Sequence, residues 1–258
     1  WLDFAFRLMY LPIGLFGVSI ATAATPAISR LVAQQDFAQI RRTLSGALGL
    51  MLFLNLPATV GLIVLARPII AVIFEHGRFT AADTAATAAA LQFYAIGLVG
   101  YSIVRIISPT FYALGRSRIP VLVSASSVVV NIALNVTLVR VLGYKGLALG
   151  TSMTAIVNAM VQMWLLRREI HGIDGGRIAA SFARVAVASA AMGVAAWACD
   201  AGLPIVVPGT SLPLQMIRLL ITIGVSLLTL TAAAHVLRIP EYGDARDMVL
   251  KKLRRVSG

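Results

Sequence analysis

The sequence predicts an all-α, polytopic membrane helix bundle of about seven transmembrane helices, on three observations. Of its 258 residues, 59% are hydrophobic and only 12% charged, whereas a soluble domain is about half apolar and a quarter charged. Mean hydropathy is +0.89. The apolar residues are gathered into seven continuous stretches, each long enough to cross a bilayer as a helix of about 20 residues. A membrane barrel would instead show short alternating segments.

The stretches run roughly over 2–25, 43–66, 83–108, 119–139, 146–166, 183–206 and 213–237. The first carries Arg7 inside its apolar run and Pro12 five residues later. A guanidinium keeps its proton and costs roughly 2.5–3.5 kcal/mol near the membrane centre even on the mildest scale. Five fixed donors facing inward suit a phosphate or pyrophosphate, and that role predicts an enclosed hollow beside Arg7. The alternative is a side chain near a helix end that snorkels to the headgroups. The second stretch carries Pro57 and, two residues before it, Asn55. Proline removes a backbone donor and kinks a helix, which membrane bundles tolerate where neighbours satisfy the freed carbonyl.

Between the second and third stretches, residues 68–74 are too short to cross and are expected along the interface. Thr80 followed by Asp83 reads as a capping box, so the third span is predicted to begin near 81. Its first turns are almost all small residues, which lets a neighbouring helix come close. Arg105 near its end is a second intramembrane arginine, close enough to the basic loop to snorkel. In the fourth span Asn131 and Asn135 share a face. Thr151, Ser152, Thr154 and Asn158 open the fifth. These neutral oxygens either coordinate a hard cation or hydrogen-bond between helices, a gain of only about 0.6 kcal/mol per bond.

Loop charges set the orientation. Lys and Arg number three on 26–42, two on 113–118, four on 167–184 and six from 238 onward, against five on the opposite connections. The positive-inside rule then places the first set and the carboxy terminus in the cytoplasm. Basic residues lying between apolar blocks, without interleaved aromatics, argue against nucleic acid as a partner. Lys251, Lys252, Arg254 and Arg255 form a basic tail expected on anionic membrane lipids. All ten carboxylates lie in loops, the tail or at span ends. A proton relay on a mid-membrane acid, a Ser/His/Asp set and a phosphate loop are missing, so an enzyme is not expected. The single cysteine, Cys199, excludes an internal disulfide, and His76, His171 and His235 are too dispersed to read as a metal site. The chain opens without a methionine inside an apolar stretch, which leads us to expect a fragment whose amino-terminal part is missing.

The blocks FRLMYLPIGLFG, EHGRFTAAD and SPTFYALG resemble the MurJ (MviN) family of lipid II flippases, part of a superfamily that also exports polysaccharide-lipids and drugs. The resemblance implies the half of a fourteen-helix transporter that begins at its eighth helix and sits in the bacterial inner membrane. Its substrate would be lipid II, the undecaprenyl-pyrophosphate-linked muropeptide. Residues 1–168 would be core helices, 177–237 two extra helices forming a lipid-tail groove, and 238–258 a cytoplasmic tail. Arg7 falls on the family's cavity arginine; some members carry an aspartate just before it, where this sequence has Phe6, so that pairing is expected to be lost. Arg218 would lie at the outer end of the tail groove, Arg105 would be a further substrate contact, and Pro12 and Pro57 would be hinges. Asn131, Asn135, the Leu147 carbonyl and Thr151 match a sodium site in which other members have an acid at the position of Asn135. A non-transporting membrane scaffold would predict instead that these polar residues are freely replaceable.

Overall fold

The computed structural model describes residues 1–206, 208–209 and 211–243. The described residues build a helical bundle. The first span is α1 (Leu2–Pro12), a π-helical turn (Ile13–Val18) and α2 (Ser19–Ala33). Pro12 cannot donate to the carbonyl one turn back, and the ladder widens immediately after it, as π-bulges do. Ser19, Thr22 and Thr25 donate their hydroxyls to carbonyls within this span. Helix α3 (Phe37–Val64) starts on Asp36, whose carboxylate caps the Gln39 amide, and runs on through Pro57. Asn55 is fully buried there. Its amide donates to the Met51 carbonyl, while its oxygen accepts from Ser102 at 3.2 Å. Gly17 of the π turn lies against the same Ser102 hydroxyl. One polar node thus ties the first span, α3 and the helix that carries Ser102 together at mid-bundle.

Helix α4 (Ala66–Phe74) is short, as expected, and buries one face while Arg67 and Ile73 stay exposed. Ala66 and Ile70 are fully buried in a cluster with α1 and α5. Helix α5 (Ala81–Ile96) begins on a complete Thr80/Asp83 capping box, at the position predicted. The third span is not one continuous helix. It breaks at Gly97 and resumes as α6 (Leu98–Ala113), bent by 41°. The cause is in α8 (Tyr144–Glu169): the Ser152 hydroxyl lies 2.7 Å from the Phe93 carbonyl oxygen and 3.0 Å from that of Tyr94. The Gly97 amide turns to the Tyr94 carbonyl at 3.0 Å, and the Ser152 hydroxyl serves the Phe93 carbonyl that it leaves. A Cβ at Gly97 would meet the Ser152 backbone at 2.7 Å, so the closeness of α8 depends on the glycine.

Helix α7 (Arg118–Leu142) packs on α8 and buries only Pro120. Helices α9 (Gly175–Val206) and α10 (Leu212–Val236) form a hairpin laid against α3 through Phe53, Val185, Met192 and Leu230. Among the described residues, six helices are long and apolar enough to cross a membrane, and the bent α5–α6 pair taken as one span makes seven. The basic loops converge on one end: Arg41 donates to the Ile170 and His171 carbonyls, and Arg116 pairs with Glu169 at 3.3 Å. Trp1, which donates to Asp83 and packs on Tyr144, marks the other end.

The chain leaves α10 through Arg238 in the left-handed region (φ +49). The Ile239 amide closes on the Ala234 carbonyl, a Schellman-type stop. That turn folds Glu241 inward. It is 6% exposed, accepts from Ser181 at 2.8 Å and fills the notch at Gly49. The sequence reading counted this acid with the polar tail and did not foresee its burial; the buried Ile239 beside it supplies the reason. Gly49→Ala would put a methyl 2.5 Å from the Glu241 carboxylate. It is expected to destabilise by about 1–3 kcal/mol, read as a lower melting temperature in detergent, with Glu241→Gln milder because the Ser181 bond survives. The basic cluster Lys251, Lys252, Arg254 and Arg255 lies outside the described residues.

Candidate functional site

Arg7 stands on an open face of α1, its side chain 73% exposed. Its Nη2 is 3.0 Å from Oδ2 of Asp3, one turn earlier. The pairing with an acid at the position of Phe6 is absent, and Asp3 supplies another partner, because positions four apart share a helix face. No enclosed hollow adjoins the guanidinium among the described residues. What adjoins it is an aromatic and polar wall. Tyr10, three residues on, faces Tyr101 of α6 with ring centroids 6.3 Å apart. Arg105, also exposed, lies one turn beyond Tyr101. Two guanidiniums therefore bracket two tyrosines along one face of the bundle.

Tyr101 also lines an open cleft of about 270 Å³ between α6, α7 and α8, walled by Ser124, Ser127, Asn131, Thr151, Thr154 and Asn158. The sequence-predicted oxygens do meet here. The Asn135 amide donates to Asn131 Oδ1 (2.9 Å), the Asn131 amide to Thr154 Oγ1 (3.3 Å), and Thr151 Oγ1 to the Leu147 carbonyl (2.8 Å). Asn135 Oδ1 is buried against Gly150 without a hydrogen-bond partner. The polar track continues as Gln162 donates to Asn158 and Ser108 donates to Gln162, reaching α6 one turn beyond Arg105. Sequence reasoning missed Tyr10, Tyr101, Ser124, Ser127, Ser108 and Gln162. Their signal was spacing: Thr151, Thr154, Asn158 and Gln162 follow at intervals of three and four residues, one helix face.

On another side of the bundle two apolar hollows, of about 530 and 240 Å³, share Phe16 and Leu54. One runs between α2 and α3. The other is closed by Met192 of α9 and by Ile223, Leu227 and Leu230 of α10. The hairpin thus helps to form a groove. Arg218 is not directed along it as an open cation, since its Nη2 donates to the Gly209 carbonyl at 2.7 Å and so ties down the α9–α10 connection.

Broken and π-bulged apolar spans arranged around a polar, arginine-bearing face define a polytopic helical membrane protein. The chain belongs to the lipid II flippase MurJ family, whose model matches residues 1–217. It is similar to the probable lipid II flippase MurJ of Bdellovibrio bacteriovorus, 31% identical over 246 residues, 95% of this chain and 46% of that protein. To the probable lipid II flippase MurJ of Vibrio cholerae it is 36% identical over 171 residues, 66% of this chain and 32% of that one. Among solved structures it resembles a lipid II flippase MurJ in an inward closed conformation, with a TM-score of 0.71 and 27% identity, covering 92% of this chain and 47% of that one. The chain spans less than half the length of these relatives.

Proposed function

We propose that the chain is the carboxy-terminal lobe of a lipid II flippase, which carries undecaprenyl-pyrophosphate-linked disaccharide-pentapeptide across the bacterial cytoplasmic membrane by alternating access. The observation that carries this reading is the Arg7–Tyr10–Tyr101–Arg105 face on an otherwise apolar bundle. A planar guanidinium binds phosphate bidentately, and Arg7 is the pyrophosphate contact. Arg105 adds a second positive charge along the same wall. The neighbouring amides and hydroxyls suit sugar and peptide groups. The hollows along Phe16 and Leu54 take the apolar tail, with Arg218 fixing the loop at their outer end. Arg7 stands exposed because this chain supplies one wall of the cavity. The π turn after Pro12, the helix through Pro57 and the bend at Gly97 are where the wall flexes. The basic end faces the cytoplasm.

The test uses the full-length protein in a strain depleted of its own flippase. It should restore growth and expose lipid II to an externally added lipid II-cleaving enzyme. Resistance to cationic drugs with unchanged lipid II exposure would overturn the reading in favour of a drug exporter.

Of the two readings of Asn131, Asn135, the Leu147 carbonyl and Thr151, we favour hydrogen bonding along and between α7 and α8 over a sodium site. The Asn135 amide donates to Asn131 and Thr151 donates to the Leu147 carbonyl, so of these oxygens Asn135 Oδ1 is the one shown without a partner. A hard cation needs a fuller cage of free oxygens. Asn135→Asp should create one. Its melting temperature is expected to rise in sodium chloride relative to choline chloride, while the native protein shows no such difference.

A further inference from the structure

The back of the bundle carries a second groove that the transport reading does not use. Leu56, Ile63, Val99, Ile156 and Met163 wall a cavity of about 660 Å³ between α3, α6 and α8. A neighbouring hollow of about 430 Å³ shares Val99, Ile103, Met163, Arg167 and Phe182 with it and reaches Ile173 and Ile178. Together they form one seam between α8 and α9, two helices that make no extended contact with each other. Val99 and Ile103 lie on the side of α6 opposite Tyr101 and Arg105, so the seam faces away from the Arg7 wall.

Three observations identify the occupant. From Ile156 to Arg167 the seam follows α8 for roughly 16 Å, about one leaflet of a hydrocarbon core ~30 Å thick. The walls are mostly apolar; besides Arg167 the first cavity has Trp164 near its mouth and Thr59, whose hydroxyl is spent on the Asn55 carbonyl. At the mouth, Arg167 lines both hollows and forms no ion pair among the described residues, whereas Arg41 and Arg116 beside it are engaged. Arg168 stacks 3.6 Å above the Trp164 ring, and an exposed tryptophan under a guanidinium marks headgroup level.

We infer that this seam is a binding site for one anionic glycerophospholipid of the basic-side leaflet. Its acyl chains lie between α8 and α9, and its phosphodiester sits on Arg167 and Arg168. The lipid fills the contact that the two helices do not make and holds the hairpin against the core. A lipid without a phosphodiester would leave the guanidinium at the mouth without a counter-charge, and a zwitterionic one brings a cationic headgroup up against Arg167 and Arg168.

Delipidated full-length protein in detergent is titrated with phosphatidylglycerol and with phosphatidylcholine of the same acyl chains, and the first bound lipid is read by native mass spectrometry. Phosphatidylglycerol should bind more tightly than phosphatidylcholine, and Arg167→Gln should weaken it roughly fivefold without altering the melting temperature in lipid-free detergent. Ile156→Trp, which fills the far end of the seam and leaves the charge alone, should weaken both lipids. Equal affinity for the two lipids, or an unchanged phosphatidylglycerol affinity in Arg167→Gln, overturns the proposal. If Ile156→Trp does not fold, Arg167→Gln alone decides.

Discussion

Arg7→Ala in the full-length protein is expected to abolish rescue of a flippase-depleted strain at normal expression level, and Arg7→Lys to restore it only in part. A hydrogen bond to a charged group contributes about 1.5–3 kcal/mol, so losing the guanidinium should lower transport by roughly 10- to 150-fold even where the fold is untouched. Lysine keeps the charge but not the fork. The companion variant separates binding from helix stability. Asp3 and Arg7 form an ion pair between side chains that are 72% and 73% exposed, and such a pair is worth only a few tenths of a kcal/mol. Asp3→Asn should therefore leave rescue and melting temperature nearly unchanged. If Asp3→Asn were as damaging as Arg7→Ala, the pair would be structural and the phosphate role would fall. The measurements are growth, lipid II exposure to the external enzyme, and protein level in the membrane.

What was legible in the sequence follows from how local each cause is. The Thr80/Asp83 box lies within four residues, and those four residues alone determine where α5 starts. Asn131 and Asn135 share a face by spacing alone, and they do meet. Asp3 was equally legible, since an acid four residues before a basic residue faces it. Phe6, immediately before Arg7, points to another side of α1 and says nothing about that pairing. The break at Gly97 was not legible, because a glycine in an apolar run reads the same whether it permits packing or a bend. Its partner, Ser152, lies 55 positions away. Glu241 escaped for a related reason: a polar tail folds inward only if a left-handed residue, here Arg238, reverses it onto a core that sequence order does not reveal. The direction of the Asn135 amide, which decides between cation and hydrogen bond, depends on its neighbours in three dimensions and not on spacing.

The second large effect is expected at that break. Gly97→Ala should cost about 1–3 kcal/mol and remove most transport, because the new methyl would lie 2.7 Å from the Cα of Ser152 and 2.8 Å from its hydroxyl. Backbone cannot rotate aside as a side-chain tip does, so α8 must withdraw. With it goes the hydroxyl that serves the Phe93 and Tyr94 carbonyls. Ser152→Ala isolates that second loss, leaving the Phe93 carbonyl without its donor, while Tyr94 keeps the Gly97 amide, at a cost of about 1–3 kcal/mol. The double variant Gly97→Ala/Ser152→Gly tells the two contributions apart. Removing the serine side chain relieves its contacts at 2.8 and 2.9 Å but not the one to Cα. Rescue of the melting temperature should therefore be partial. Full rescue would mean that the glycine accommodates only a hydroxyl, and that the bend is set elsewhere along α5 and α6.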